Sequence, residues 1–198
     1  MKLSELENVI LASGSPRRRE MLSRVTSNFS ITVSETDENL DEGIPASEGV
    51  RILAERKGRA VLDELGDEGA DSLIISSDTL VELDEKQLGK PSSEMEAYEM
   101  LKSLSGKRHN VRTGIAVHYK GRVASGVATT GVYFKELTDA QIRDYIATGE
   151  PMDKAGSYGI QGLGGKFVEK TEGDFDTVVG FSMKLFSELL SEFGIELC

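Results

Sequence analysis

The stretch Asn8-Val9-Ile10-Leu11-Ala12-Ser13-Gly14-Ser15-Pro16-Arg17-Arg18-Arg19 decides the fold class. Asn8–Ala12 is a short apolar run that breaks into small polar residues, and a helix begins at once behind them. Ser15 is a good N-cap, and Pro16 suits the first helical position because its missing N–H costs nothing there. A strand, a tight loop and a helix over Arg17–Val25 are therefore expected, which is the opening half of a strand–helix–strand unit.

Working outward, Phe29–Ser34 alternates as a second strand would, and an acidic loop follows it. The spacing of Val50, Leu53, Ala54 and Val61 predicts an amphipathic helix from about Ala46 to Leu65. Ser72–Ser77 reads as a buried strand ending at Asp78-Thr79, and Val81–Gly89 as a small hairpin or arm stopped by Pro91. Ser92–Ser105 is helical in pattern, and Val111–Tyr119 pairs naturally with Arg122–Phe134 around Lys120-Gly121. Thr138 to Gln141 is a capping box opening a helix to about Thr148. A glycine-rich loop runs from Gly156 to Gly165, with a strand at Phe167–Lys170 and a closing amphipathic helix at Gly180–Phe193. Strands alternating with helices around a middle hairpin give an α/β or α+β mixed sheet. At 198 residues this is one domain, or one domain with a lobe.

Composition excludes several functions. The net charge of −11 argues against general nucleic-acid or anionic-membrane binding, which needs a basic face. Acids gather at 35–42 and 63–71, while Arg17, Arg18, Arg19 and Arg24 crowd one short segment. A negative chain with one basic pocket suits a compact phosphate compound, with a metal. No run reaches the apolar length of a bilayer span, and the first residues lack the pattern of a secretory signal, so a cytosolic protein is expected. The one cysteine, Cys198, leaves no internal disulfide and no thiol metal cluster.

Four stretches could carry chemistry. In the Ser13–Arg19 loop, free N–H groups and the helix dipole attract anions, serine hydroxyls add donors, and arginine offers a fork matched to phosphate. Successive helical residues point about 100° apart, so one of the three arginines should be solvated. The alternative is a capped helix with a basic surface. Lys57 falls on the apolar stripe of its helix, where it either snorkels or points into a polar site. Asp78, expected at the carboxyl end of a strand, could hold a metal or activate water, and Glu35, Asp37 and Glu38 could meet it. A strand-end turn and a solvated acidic loop are the plainer reading of those acids. Finally, Gly156–Gly165 sets Gln161 among glycines that permit tight turns or close approach to a ligand. It is no Walker loop, because Phe167 stands where Ser or Thr is required. His109 and His118 form no zinc site or nucleophile pair and are expected on surface strands.

Taken together and in order, the motifs resemble those of the Maf nucleotide pyrophosphatases. They are Leu11–Arg19, Asp37-Glu38, Leu53–Lys57, Ser77-Asp78-Thr79, Gly89-Lys90-Pro91, Leu104-Ser105-Gly106, Asp153–Gly162 and Val178-Val179-Gly180. The resemblance implies a mixed α/β fold with a cleft between two lobes, like the inosine triphosphate pyrophosphatases. It implies a homodimer and divalent-metal-dependent (Mg²⁺ or Mn²⁺) release of pyrophosphate from nucleoside triphosphates, in a house-cleaning role. By the same resemblance Asp78 is the catalytic carboxylate, and Glu38 joins it at the metal. Ser13, Ser15, Arg18, Lys57 and Lys90 then hold phosphate, and Arg17, Thr79 and Gln161 choose the base. That trio looks like the branch acting on dTTP and UTP rather than on 7-methyl-GTP. The rival reading is a nucleotide-sensing regulator of cell division. One departure stands out: Phe181-Ser182 replaces the family's usual Leu-Pro, and Ser182 is expected to cap the last helix in place of proline.

Overall fold

The computed structural model describes residues 1–41 and 43–197. Cys198, the one cysteine, lies outside the described residues, as does Glu42 of the acidic loop. Among the described residues seven strands, β1 (Val9–Leu11), β2 (Ser30–Ile31), β3 (Leu73–Leu83), β4 (Lys86–Leu88), β5 (Arg108–Tyr119), β6 (Arg122–Phe134) and β7 (Val168–Glu172), form one mixed sheet in the order β2-β1-β3-β5-β6-β7, with β4 paired to β3. The chain divides into two compact units, the first comprising 1–78, 113–128 and 180–198, the second 79–112 and 129–179.

In the first unit, β1 (Val9–Leu11) lies between β2 (Ser30–Ile31) and β3 (Leu73–Leu83), parallel to both. The register Val9↔Leu73, Ile10↔Ile74, Leu11↔Ile75 stacks apolar residues that are at most 8% exposed. Helix α1 (Pro16–Ser23) follows with proline at its start, and α2 spans Ala46–Leu65 as the periodicity predicts. Ile10, Ala12, Val61 and Ile74 form one apolar cluster, and Val50 and Ala54 of α2 are buried as well. Gly114 has a steric reason: a Cβ there would run into the backbone of Val50 and Arg51.

The second unit holds the ends of three long strands, β3, β5 (Arg108–Tyr119) and β6 (Arg122–Phe134), together with β4 (Lys86–Leu88) and β7 (Val168–Glu172). Helices α3 (Glu94–Leu104) and α4 (Asp139–Ile146) supply much of its core, with Leu101, Leu104, Ile142 and Tyr145 at 1% exposure or less. The capping box at Thr138 and Gln141 is formed. The short α5 (Phe175–Val179) ends this unit, and α6 (Met183–Ser191) closes the chain in the first. Ser182 caps α6, its hydroxyl accepting from Leu185 N at 3.2 Å, so serine takes the place of the missing proline. Phe181 is fully buried against Phe186 at 5.2 Å between ring centroids.

Three expectations need correction. The second strand is Ser30–Ile31, not Phe29–Ser34, because Ile31 and Val33 are 42% and 63% exposed. Apolar alternation fixes a strand only when one face has something to bury against. The third strand does not end at Asp78 but runs to Leu83, since Val81 and Leu83 enter the second core and β4 pairs with it at Val81↔Leu88. Lastly, His109 and His118 are buried, at 1% and 8% exposure, not on the surface. His109 Nε2 lies 2.8 Å from the Tyr158 hydroxyl, and burial, helped by the Arg108 charge, lowers its pKa to about 4.

Candidate active site

Asp78 sits inside a strand, yet the logic of strand ends still applies to it. Parallel pairing of β3 with β1 stops at Leu11↔Ile75, and Ala12 N donates to Ile75 O at 2.7 Å as the chain leaves. Asp78 therefore lies beyond the carboxyl end of β1, on the side where the Ser13–Ser15 loop begins. The segment after β2 supplies Glu38 from the same side of the parallel strands.

Lys57 joins these two acids. Its Nζ donates to Asp78 Oδ1 at 2.7 Å and pairs with Glu38 Oε1 at 2.7 Å. The Lys57 side chain is 21% exposed, that of Asp78 15%, and that of Glu38 62%. Helix periodicity explains the reach: Ala54, Gly58 and Val61 on the same face are buried, so the lysine stem is drawn in while its ammonium finds polar partners. The snorkelling alternative fails here, because the ammonium ends on a carboxylate that is itself largely buried.

Arg18 braces the neighbouring backbone. Its Nη1 donates to Ser77 O at 2.7 Å and to Ser13 Oγ at 3.3 Å, and its Nε donates to Gly180 O at 2.9 Å. Ser77 Oγ donates to the same Gly180 carbonyl at 3.1 Å. Burial lowers the Arg18 pKa from its ordinary high value, the charge of Asp78 opposing that shift. With so high a starting value the guanidinium stays protonated. Gly180 matters through its carbonyl, which no side-chain motif could announce; its φ of 109° is what reserves the position for glycine. Ser13 is buried, and its hydroxyl also accepts from Ser15 N at 3.3 Å. Ser15 occupies the N-cap position, but its side chain makes no cap hydrogen bond. Arg17 is half-buried and Arg19 exposed, so one arginine of the three is indeed solvated.

The remaining acids are placed elsewhere. Asp37 accepts from Asn39 N and Nδ2 at 2.9 and 2.7 Å, bonds that hold its pKa below the ordinary value. Glu35 and Asp37 line a concavity of about 820 Å³ with Arg56, Arg59 and His118. Of the three acids after β2, Glu38 alone meets Lys57 among the contacts described. No group of three or more His, Cys, Asp or Glu side chains able to hold a metal occurs among the described residues.

Thr79, Lys90 and Gln161 belong to the second unit. Thr79 is half-buried, one residue beyond Asp78; Lys90 is exposed, following β4; Gln161 is exposed in the glycine-rich loop. The glycines of that loop serve close internal packing. A methyl on Gly164 would lie 2.6 Å from the Tyr145 hydroxyl, and one on Gly165 would strike Ile160 O. The N–H groups of Leu163 and Gly164 donate to the Glu150 carboxylate at 3.0 and 3.2 Å, so the loop is not a phosphate cradle of the Walker kind.

The mixed α/β sheet thus brings a braced arginine, a lysine and two carboxylates together past its parallel strand ends. Comparison with known proteins shows the family. The family model described as "Maf-like protein" matches residues 8–193, and the chain belongs to the Maf family. A protein named dTTP/UTP pyrophosphatase from Thermococcus gammatolerans is 48% identical over 95% of this chain and 97% of its own length. Proteins of the same name from Caldicellulosiruptor saccharolyticus and Bacillus cereus are 42% and 43% identical, covering 97% and 96% of this chain and 98% and 92% of their own. Among solved structures, the Ham1 protein of Staphylococcus aureus aligns with a TM-score of 0.46 at 13% identity, over 93% of this chain and 90% of that one. Among the described residues no helix is long and apolar enough to cross a membrane.

Proposed function

We propose that this protein hydrolyses dTTP and UTP to the monophosphate and pyrophosphate. The carrying observation is the pair of 2.7 Å contacts that bring Asp78 and Glu38 onto one lysine ammonium. The names of the full-length relatives support the choice of substrate.

The donor set also suits a divalent metal. Mg²⁺ is commonly held by one or two carboxylates, with phosphate oxygens and water completing its shell. Two hard oxygens already converging on a single cation fit that pattern. Asp78 and Glu38 would hold the ion, which when bound supplies charge neutralisation on the phosphoryl oxygens.

In this reading Asp78 orients a water and takes its proton. The water oxygen bonds to the α-phosphorus while the bond from that phosphorus to the oxygen bridging to the β-phosphorus breaks. Pyrophosphate leaves with that oxygen. Lys57 and Lys90 offset the charge of the triphosphate. Ser13, Ser15 and the start of α1 offer donors to its oxygens. Arg18 acts chiefly by charge, since Nε and Nη1 are already directed at the chain's own oxygens. General-base assistance is worth about 10²–10⁴-fold. Arg17, Thr79 and Gln161 are assigned to base choice, where directional hydrogen bonds to uracil or thymine reject bases that leave those groups unpaired. A cytoplasmic homodimer is part of the same proposal. Incubation with a nucleotide panel tests it, with thymidine and uridine monophosphates plus pyrophosphate as the expected products. Cleavage of 7-methyl-GTP in preference would retain the chemistry and refute the assignment of Thr79 and Gln161.

A further inference from the structure

Gln161 is exposed, and a side chain that reads a base must have its backbone held still. Besides the turn bonds Gly162 N to Gly159 O at 3.2 Å and Gly165 N to Gly162 O at 3.1 Å, one carboxylate reaches both of its flanks. Glu150 accepts from Leu163 N at 3.0 Å and Gly164 N at 3.2 Å, on the carboxyl side of Gln161. On the amino side, Gly159 N donates to the Tyr145 hydroxyl at 3.2 Å, and that hydroxyl donates to Glu150 Oε1 at 2.9 Å. Tyr145 is only 1% exposed, so it is a fixed post. Glu150 is itself anchored from behind, its main-chain carbonyl accepting from Lys154 Nζ at 2.7 Å. Gly162 completes the fit, because a Cβ there would collide with the Glu150 carboxylate.

We propose that Glu150 is a positioning residue for base choice: through its carboxylate and Tyr145 it fixes both flanks of the segment that presents Gln161. This rests on the reading that Gln161 discriminates the base. Ionised Glu150 is an acceptor only, and all three donors around it point inward, so it matches this role where an amide would not. In Glu150→Gln one end of the side chain becomes a donor facing donors, and one flank must let go.

The test is steady-state kinetics on dTTP, UTP and CTP for the wild type, Glu150→Gln, Tyr145→Phe, Gln161→Ala and the double variant Glu150→Gln/Gln161→Ala. The preference for dTTP and UTP over CTP should narrow about tenfold in Glu150→Gln, ~1.4 kcal/mol, as KM for the favoured bases rises. Tyr145→Phe, which keeps the two amide bonds, should move the same way by less. In the Gln161→Ala background Glu150→Gln should change the preference no further, since both act through one side chain. A merely structural glutamate would lower the melting temperature and leave the preference intact. Preference lost in Gln161→Ala but kept in Glu150→Gln and Tyr145→Phe would overturn this inference alone. Preference kept in Gln161→Ala would overturn the reading of Gln161, and this inference with it. Should Glu150→Gln fail to fold, Tyr145→Phe decides.

Discussion

Replacing Lys57 with methionine keeps the length and apolar stem of the side chain and deletes only the ammonium that Asp78 and Glu38 share. Two consequences can be sized. Glu38 is 62% exposed, so its pair with Lys57 is worth less than about 1 kcal/mol. Asp78 at 15% and Lys57 at 21% lie between the surface limit and the roughly 3–5 kcal/mol lost when a fully buried pair is broken. A destabilisation of about 1–2 kcal/mol follows, which for a chain of this size lowers the melting temperature by roughly 2–8 °C. Activity should suffer far more. An ammonium placed to meet developing phosphoryl charge contributes about 10²–10³-fold, and Asp78 would lose the contact that orients it. Calorimetry and dTTP turnover on the same preparation separate the two. A Lys57→Met protein that folds and turns over dTTP within about twofold of wild type would refute the reasoning.

Asp78→Asn keeps the shape of the side chain and removes the proton acceptor; turnover should fall by at least about 10²-fold with the circular-dichroism spectrum unchanged. Arg18→Met takes one donor from the Ser77 carbonyl and leaves that of Gly180 with the Ser77 hydroxyl, and chemical denaturation should register a loss of about 1–3 kcal/mol. Gly114→Ala presses a methyl onto the Val50 and Arg51 backbone, an overpacking cost of about 1–3 kcal/mol that lowers the denaturation midpoint. His109 gives a pH signature. Its folded pKa, about 4, lies below the ordinary 6.5, so between those values the unfolded chain holds a proton the folded one does not. The stability His109 contributes is whole above about pH 6.5 and is lost as pH falls towards 4, about 3 kcal/mol in all. Melting temperatures of His109→Phe across that range should decline less steeply than those of the wild type; parallel curves would contradict the assignment.

Much of this was legible in the residues, for identifiable reasons. The extent of α2, the turn at Lys120-Gly121 and the capping box at Thr138 were readable because periodicity and turn chemistry are local. Ser182 could be named as a cap because the departure from proline left one hydroxyl at the right place. The length of β3 was not readable: Asp78 and Thr79 look like an ending, and only the partners β4 and the second core explain why the strand continues. Burial of His109 depended on Tyr158, Phe134 and a long-range packing that sequence spacing does not encode. In the site, Lys57 and Asp78 could be nominated from one stripe and one strand. Their meeting with Glu38, rather than Glu35 or Asp37, depends on the path of an irregular loop. The bracing of Arg18 by Gly180 O was invisible because a carbonyl carries no signature of its own.

The most direct test of the central claim is to incubate the purified protein with dTTP and Mg²⁺ and identify the products. Thymidine monophosphate and pyrophosphate are expected in equal amounts, both formed at least about 10²-fold more slowly when Asp78→Asn replaces the wild type. Thymidine diphosphate with free phosphate, or undiminished cleavage by Asp78→Asn, would contradict it.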